Sequence, residues 1–427
     1  MNGKGQQLAI ALGNAFVMVS IAALTLVLTA SLLSRAGMPF TAAYTGSILA
    51  CIIGTLIASR SGRALLALPS PAVTAWLVYE EMISRGTSWQ EMLGIAAVIS
   101  ILGALLMRTK QARLLTAPLP LIIRTGLVCG LGLAMLTAAA LYARILLPSP
   151  WALTMGGMLS DPLTYYALTG ILLVLILHAM HVRCALPLGM GIIAALTWLE
   201  GFWEIPAVPF LQPDLTPAAL ALTLPQPDTL VPAATLGMIL LLTLAAESSI
   251  VLAAHADAKD PQTDQRTLAR LFGASSAAAL LGALPMSIAP VSAVLPVHKE
   301  ERHIAGIPLT ACFSTLFLLL LVPCAPLLQA MADFPAVPAV ALAVLGLMLL
   351  MQGLASLRHA DESIGLRESA VFAAFLLAAF DIRTGLTAAL LLWTLLTAAR
   401  GERRRIPPST GGLTALLLIL ALLKWIH

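Results

Sequence analysis

The chain has 427 residues, of which 59% are hydrophobic and only 10% are charged, and its formal net charge is +4. This composition excludes a soluble globular protein and is typical of a helical protein that crosses a membrane many times. The five cysteines are scattered through apolar runs without paired spacing, so we interpret them as small hydrophobic residues and not as a disulfide or metal set.

Ten apolar runs are long enough to span a bilayer, and four shorter runs fit half-helices or tilted helices. The first long run follows the N-terminus without a cleavage site of small residues, so we expect a membrane helix and not a removed signal peptide. The sequence thus predicts an all-α polytopic membrane protein with fourteen transmembrane segments. In chain order they are centred on residues 8–33, 41–59, 64–79, 90–107, 119–145, 162–180, 184–199, 231–256, 267–284, 286–297, 305–328, 336–357, 367–380 and 384–399.

The distribution of basic residues predicts the orientation. With the N-terminus inside, the loops predicted to be cytoplasmic contain eighteen Lys and Arg residues, and the opposite side contains four. This asymmetry follows the positive-inside rule. We therefore expect residues 108–113 and 400–405 in the cytoplasm and residues 206–230 outside, in an inner (plasma) membrane. The basic patch at 400–405 is interpreted as a topology signal or a contact with anionic lipid.

The connection over residues 200–231 is rich in proline, contains acidic residues and has no Lys or Arg. It separates two sets of seven segments. Because seven is odd, the two halves lie in opposite orientations, which is the inverted-repeat plan of many secondary transporters. The predicted domains are a first repeat (1–205), an extracellular linker (206–230), a second repeat (231–400), and a basic patch with an extra apolar segment (401–427).

The third and tenth segments are interrupted by prolines at matching positions. The third begins with Pro69, Ser70 and Pro71, and the tenth follows Pro285 and contains Pro290. Proline removes a backbone donor and suits the start of a helix, so each segment is predicted to be extended backbone leading into a half-helix. Broken helices at corresponding positions point to a transport site, and ordinary kinked helices are the alternative interpretation.

A single carboxylate, Glu247, lies in the middle of the apolar run 231–256 and is followed by Ser248 and Ser249. A charge at the bilayer centre costs about 2.5–3.5 kcal/mol, so such residues usually face a cavity or a partner. Burial favours the neutral form of a carboxyl group, which makes its protonation easy to couple to ligand binding. We hypothesise that Glu247 contacts substrate and couples protons, with Ser248 beside it.

Hydroxyl groups near the two broken helices are further candidates for substrate binding. Ser70 and Thr74 belong to the third segment, and Ser287 and Ser292 to the tenth. The alternative is that these hydroxyls bond only to their own helix backbone. His255 is interpreted as an interfacial residue in preference to a proton relay. No nucleotide-binding loop or catalytic motif occurs, so we expect no enzyme, no cofactor and no nucleic-acid partner.

Several short stretches occur in a characteristic order: AGMPF at 36–40, IIGTL at 52–56, PSP at 69–71, TSWQEMLG at 87–94, PDLTP at 213–217 and ESS at 247–249. Together they resemble the nucleobase–ascorbate transporter family (nucleobase:cation symporter-2), nearest its azaguanine/hypoxanthine/guanine permease branch. The resemblance implies a core domain of segments 1–4 and 8–11 and a gate domain of segments 5–7 and 12–14. It also implies proton-coupled uptake of a purine or pyrimidine base by an elevator movement, in a membrane-embedded protein that could form a homodimer.

The chain departs from this pattern at Val291, the position in the tenth segment where the family usually has a second carboxylate. An unpaired buried donor or acceptor on a ligand costs about 1–3 kcal/mol, so this loss bears on the choice of substrate. Val291 is accordingly included in the predicted site. Two alternatives remain: an anion or aromatic-acid transporter of the related sulfate-carrier or benzoate type on the same fold, and a membrane protein that has lost transport.

Overall fold

The computed structural model describes residues 3–70, 73–74, 77–109, 120–148, 154–182, 184–214, 219–225, 230–254, 261–294, 303–358, 365, 369–371, 373–374, 382–403 and 406–426. Helices dominate these residues, and the strands are only two or three residues long. Most of the predicted segment 367–380 lies outside the described residues, as do Pro71, His255, Arg404 and Arg405.

Before the proline-rich connection, the described residues form the helices α1 (Gly3–Arg35), α2 (Phe40–Ala58), α3 (Leu77–Ser84, with the wider π-helical turn), α4 (Trp89–Leu106), α5 (Leu121–Tyr142), α6 (Pro162–Ala179) and α7 (Ala185–Leu199). The helices described after it are α8 (Leu230–Ala254), α9 (Pro261–Leu280), α10 (Val291–Val294), α11 (Leu309–Leu321), α12 (Ala325–Asp333), α13 (Ala336–Arg358), α14 (Ile382–Ala399) and α15 (Pro408–Ile426). Single 3-10 turns lie at Ser59–Ser61 and Val322–Cys324.

The described helices support a multi-pass membrane protein. Six helical stretches are long and apolar enough to cross a bilayer: Gly5–Arg35, Phe40–Ser61, Trp89–Leu106, Pro162–Ala179, Pro232–Ser249 and Leu309–Ala332. Shorter apolar helices include Ala185–Leu199, Ala336–Met351 and Thr384–Ala399. The prediction of an all-α polytopic membrane protein is therefore confirmed, and the number of fourteen segments stays a prediction.

Two short strands cross where the sequence predicts the broken third and tenth segments. Strand β1 (Ala67–Pro69) pairs antiparallel with β4 (Met286–Ile288), with Leu68 opposite Ser287. The turn before each strand contains a glycine in the left-handed conformation, Gly62 (φ 83°) before β1 and Gly282 (φ 81°) before β4. Because glycine lacks Cβ, it adopts this conformation without strain. The two halves of the chain thus meet through equivalent helix–turn–strand units.

Two other hairpins lie outside the strand crossing. Strands β2 (Leu146–Pro148) and β3 (Thr154–Gly156) pair between α5 and α6, and β5 (His303–Ile304) pairs with β6 (Ile307–Pro308) before α11. At the start of α6, the Asp161 side chain accepts a hydrogen bond from the Leu163 N–H at 3.0 Å, and Pro162 occupies the first helical position. Both features are typical of a helix N-terminus.

The helix contacts fall into two groups. Helices α1, α2, α4, α8, α9 and α11 pack with one another, and α5 packs along α13 together with α6 and α14. The α5–α13 crossing is close because it is formed by glycines. A Cβ added at Gly132 would lie 2.7 Å from the Gly346 carbonyl oxygen, and one added at Gly346 would lie 2.7 Å from the Gly132 carbonyl oxygen. Small residues allow this backbone approach between membrane helices.

Two predicted segments differ in detail from the structure. The run 305–328 lies largely within one span that is long enough to cross a bilayer, Leu309–Ala332, and a 3-10 turn divides this span into α11, which ends at Leu321, and α12, which begins at Ala325. Pro323 and Pro326 lie at this break and cannot donate the helical backbone hydrogen bond. At the end of α11, the Leu321 carbonyl accepts a 3.0 Å hydrogen bond from the Tyr44 hydroxyl. The third segment, predicted to end at residue 79, continues in α3 to Ser84.

Candidate functional site

Glu247 joins both halves of the chain at the strand crossing. Its side chain is buried in α8, with 7% exposure. The Ser70 hydroxyl donates a 3.0 Å hydrogen bond to Oε1 of Glu247, and Ser287 forms another side-chain hydrogen bond with the same carboxyl group. Ser70 directly follows β1 and Ser287 is the central residue of β4, so the Glu247 carboxyl group is fixed to both strands.

Other hydroxyl groups accept hydrogen bonds from the backbone of the two strands and the residues before them. Backbone N–H groups within a membrane need partners from the protein itself, because the bilayer core contains no water. Hydroxyl side chains supply these acceptors: Ser248 for the Ile288 N–H at 3.3 Å, Ser292 for the Leu66 N–H at 3.0 Å, Thr55 for the Ala67 N–H at 3.1 Å and Ser275 for the Met286 N–H at 3.0 Å.

Ser248 and Ser292 therefore lie at the strand crossing, and each accepts a backbone hydrogen bond that the sequence does not predict. The Ser248 hydroxyl oxygen holds β4, and that of Ser292 links α10 to the residue before β1. Thr55 in α2 and Ser275 in α9 belong to the same network but are absent from the predicted site. The sequence contains no signal for them, because the acceptors are brought to the strands by helix packing and not by a fixed spacing.

The remaining predicted residues flank the Glu247 group. Thr74 is buried one turn after Ser70, and its backbone N–H donates to the Ser70 carbonyl at 2.9 Å. Among the described residues, the Thr74 hydroxyl has no hydrogen-bond partner. Val291 is the first residue of α10 and is 2% exposed, so this predicted site position holds a buried apolar side chain. The Ser249 hydroxyl likewise has no partner within the described part of the chain.

A second buried carboxylate, Glu81, is missing from the sequence-based site. It lies in α3 with 4% exposure and forms an ion pair with Arg85 at 3.1 Å. The sequence prediction ends the third segment at residue 79, which leaves Glu81 in a loop. The i,i+4 spacing of Glu81 and Arg85 is the signal that could have indicated a continuing helix.

The charge balance distinguishes Glu247 from Glu81. Within the described residues, the ion pairs are Arg63–Asp264, Arg85–Glu81 and Arg144–Asp161, and none involves Glu247. The same residues contain no group of three or more His, Cys, Asp or Glu side chains that could hold a metal ion. The Glu247 group can thus offer a ligand one carboxyl group and several hydroxyls, and no basic residue in the described part of the chain forms an ion pair with it.

Comparison with protein-family models finds no match. Two curated proteins are similar over part of the chain. A putative permease, MJ0326 of Methanocaldococcus jannaschii, is 28% identical over 193 residues, which cover 45% of this chain and 44% of the relative. The guanine/hypoxanthine permease PbuO of Bacillus subtilis is 25% identical over 214 residues, covering 48% of this chain and 49% of the relative. The chain spans about half the length of the curated relatives it matches.

Solved structures show a similar fold over most of the chain. The transmembrane domain of the cyanobacterial bicarbonate transporter BicA has a TM-score of 0.58 at 17% identity, with 91% of this chain and 98% of that domain covered. The overall structure of SLC26A9 has a TM-score of 0.52 at 12% identity, covering 91% of this chain and 66% of that one. At these identities the likeness concerns the fold alone. The chain is therefore similar to membrane permeases in sequence and to membrane transporters in fold.

Proposed function

We propose that this protein is a secondary active transporter that takes up a nucleobase together with protons, with a purine such as hypoxanthine or guanine as substrate. The observation that carries the proposal is the Glu247 carboxyl group, which is buried at the crossing of β1 and β4 and bonded by Ser70 and Ser287. The partial similarity to a guanine/hypoxanthine permease supports the choice of ligand class.

The proposed architecture has fourteen segments in two inverted repeats, 1–205 and 231–400, with the linker 206–230 outside and residues 401–427 as an appendage. The paired helix–turn–strand units before Ala67 and Met286 support the repeat. The core domain would contain segments 1–4 and 8–11, and the gate domain segments 5–7 and 12–14. The two groups of helix contacts support this division. In transport, the core would slide against the gate as an elevator.

The proposed ligand contacts follow from the available hydrogen-bonding groups. Glu247 would accept a hydrogen bond from a ring N–H of the base. The Thr74 hydroxyl, which has no partner among the described residues, would bond to a ring nitrogen or a carbonyl oxygen. Ser70, Ser287, Ser248 and Ser292 would hold the carboxyl group and the strands in place. Such a small number of convergent polar groups in an apolar site is typical of small-molecule binding.

Proton coupling would use the same carboxyl group. Glu247 is buried without a basic partner in the described chain, so its charge is not compensated by an ion pair. Moving an unpaired charge through an apolar environment is costly. A proton on Glu247 would remove that cost during the movement of the core domain, and the carbonyl oxygen of the neutral carboxyl group would still accept the ring N–H.

An anion or aromatic acid is the second candidate substrate, favoured by the fold shared with a bicarbonate transporter. The charges of the described site argue against it. A ligand with a net negative charge would meet ionised Glu247 without a neighbouring cation among the described residues, and like charges in a low-dielectric site repel strongly, so such a ligand would bind only when Glu247 carries a proton. A neutral base meets no such repulsion. The absence of the second carboxylate at Val291 would weaken base binding without making the site positive.

Transport by the purified full chain in liposomes tests the proposal. An inward proton gradient should drive accumulation of labelled hypoxanthine or guanine, and dissipation of the gradient with a protonophore should stop it. Bicarbonate, sulfate and benzoate serve as comparison substrates under the same gradient. Gradient-driven accumulation of one of these anions with no accumulation of purine would replace the nucleobase proposal. Absence of uptake for every ligand, by a protein that is folded, would contradict transport.

A further inference from the structure

A cavity lies away from the Glu247 group, on the side of the membrane predicted to be extracellular. Its volume is about 550 Å³, and it is lined where α5 ends, where α6 begins and where the chain leaves α7 and α12. It shares no lining residue with the strand crossing. Sites for small molecules usually have volumes of about 300–1,000 Å³, so this cavity has room for one small ring-containing molecule.

Aromatic side chains form one wall of the cavity. Phe202 and Phe334 are stacked, with ring centroids 4.8 Å apart and planes at 23°. Tyr166 supports them from behind, edge-on to Phe202 at 5.7 Å and to Phe334 at 6.4 Å. These contacts restrict the orientation of both phenylalanine rings. Aromatic rings attract another ring in an offset-stacked or edge-to-face arrangement, so the wall favours a flat ligand.

The opposite edge of the cavity is polar but carries no net charge. Arg144 Nη1 lies 3.3 Å from Asp161 Oδ2, and the two side chains are 58% and 23% exposed. The other Asp161 oxygen accepts the Leu163 N–H that begins α6, which fixes the carboxylate. The remaining guanidinium N–H groups and the free lone pairs of the carboxylate thus offer donors and acceptors side by side.

The backbone at Arg144 supports a role for its side chain. Arg144 has φ 53°, and the Ile145 N–H donates to the Ala140 carbonyl at 2.8 Å. This arrangement is a helix end at which glycine is the usual residue. A long side chain at a left-handed position costs free energy, and such outliers are commonly found at ligand sites. Here that cost places the guanidinium beside Asp161, at the mouth of the cavity.

We propose that this cavity binds a flat, uncharged aromatic or heteroaromatic molecule that carries a donor and an acceptor on one edge. The ring would pack against the stacked Phe202–Phe334 pair in an offset-stacked or edge-to-face arrangement, and the polar edge would bond to Arg144 and Asp161. Asp161 already neutralises the charge of Arg144. A ligand carboxylate would therefore find no unpaired positive charge in the cavity, and the matching amide should bind more tightly than the carboxylate. The site is independent of the transported substrate.

Occupancy of this cavity would also restrain the two chain connections that form its wall. Phe334 lies between α12 and α13, and Phe202 lies shortly after α7, in the connection 200–231 that leads to α8. Next to Phe202, the Trp203 indole donates to the Ala194 carbonyl of α7 at 3.1 Å. Farther along the linker, the Leu211 N–H donates to the Pro323 carbonyl at 2.9 Å. In the proposed elevator, both connections join the gate to the core, so the bound ring would slow their relative movement.

Binding of three matched probes to the purified full chain in nanodiscs tests the proposal: benzamide, cyclohexanecarboxamide and benzoate. Calorimetry is performed in the Glu247→Gln background, which removes the carboxylate of the other site. We expect benzamide to bind about threefold to tenfold more tightly than cyclohexanecarboxamide, because only benzamide can stack. Benzoate should bind more weakly than benzamide. Bound benzamide should also slow hydrogen exchange of the backbone at residues 202–211 and 334–336.

Variants then locate the binding. Phe334→Leu should weaken benzamide binding about threefold to tenfold and Arg144→Gln about tenfold. Arg85→Gln is the matched control, because it removes another exposed arginine from an ion pair (Glu81) and should leave benzamide binding unchanged. If Phe334→Leu fails to fold, Phe202→Leu takes its place. The proposal would be overturned by equal binding of benzamide and cyclohexanecarboxamide, by tighter binding of benzoate than of benzamide, or by the absence of saturable benzamide binding.

Discussion

The Ser70 hydroxyl and the Glu247 carboxyl group, 177 residues apart in the chain, form a 3.0 Å hydrogen bond. Ser70 ends the extended segment of the first half, and Glu247 lies in a membrane helix of the second half. Because the carboxyl group is also bonded by Ser287, any movement of one strand relative to the other changes its surroundings. This bond therefore offers a direct test of the candidate site.

Replacing Ser70 should impair transport in proportion to the lost hydrogen bond. A hydrogen bond to a charged group contributes about 1.5–3 kcal/mol, so Ser70→Ala should reduce proton-driven uptake by about tenfold or more. Ser70→Thr retains a hydroxyl and should keep most of the activity. Ser100→Ala is the control, because the Ser100 hydroxyl in α4 is buried without a partner in the described residues. Equal uptake by Ser70→Ala and Ser100→Ala would remove Ser70 from the mechanism.

Replacing Glu247 should abolish or uncouple proton-driven accumulation. Glu247→Gln keeps the size and hydrogen-bonding ability of the side chain but cannot release a proton at physiological pH. We expect the folded variant to reach the membrane and to lose accumulation driven by a pH gradient in liposomes. Glu81→Gln is matched in chemistry and burial and should retain accumulation, because Glu81 is paired with Arg85 and its charge is compensated. Full gradient-driven uptake by Glu247→Gln would show that another group couples protons.

Restoring a carboxylate in the tenth segment should strengthen purine binding. In Val291→Glu, the new carboxylate would accept a hydrogen bond from a ring N–H that the valine cannot satisfy. Such a bond is worth about 1.5–3 kcal/mol, less the cost of burying the charge. Calorimetric titration with hypoxanthine and guanine should therefore give a lower dissociation constant for the variant. If the natural chain binds these purines tightly and Val291→Glu weakens that binding, Val291 lies outside the ligand site.

The close crossing of α5 and α13 should not tolerate a side chain. In Gly132→Ala, the new Cβ would lie 2.7 Å from the Gly346 carbonyl oxygen and 2.9 Å from the Leu350 nitrogen. Overpacking of this kind costs about 1–3 kcal/mol, so thermal unfolding in detergent should occur at a lower temperature. Gly191→Ala in α7 is the control, because its Cβ meets no atom within 4 Å. A decrease in Tm for Gly191→Ala as large as for Gly132→Ala would contradict this explanation.

The orientation of the chain is tested by labelling single cysteines introduced into a cysteine-free variant. Phe210→Cys, in the predicted outer linker, is 61% exposed in this structure and should react with an impermeant maleimide added to intact cells. Arg403→Cys lies in the predicted cytoplasmic patch and should react only after the membrane is permeabilised. The opposite pattern would reverse the orientation derived from the eighteen-to-four asymmetry of basic residues.

Some of the site could be predicted because its signals are local. A carboxylate such as Glu247 in an apolar run is visible in the sequence, since its burial is costly wherever the helix packs. The prolines at 69 and 285 likewise predict extended backbone, because proline cannot donate a backbone hydrogen bond. Strands β1 and β4 lie at these positions. The length of α3 and the break between α11 and α12 were not predicted. Hydropathy measures how apolar a segment is, and it does not indicate where the backbone breaks at a proline or widens into a π-helical turn.

The sequence alone therefore determines a polytopic helical membrane protein, its expected orientation and the candidate residues Glu247, Ser70 and Ser287. Only the tertiary structure decides that the two hydroxyls meet that carboxyl group, and that Thr55 and Ser275 hold the strands. Membrane helices are apolar on most faces, so their hydropathy does not specify which helices become neighbours. Packing and the need to satisfy every buried backbone N–H select those neighbours, and both are properties of the folded chain.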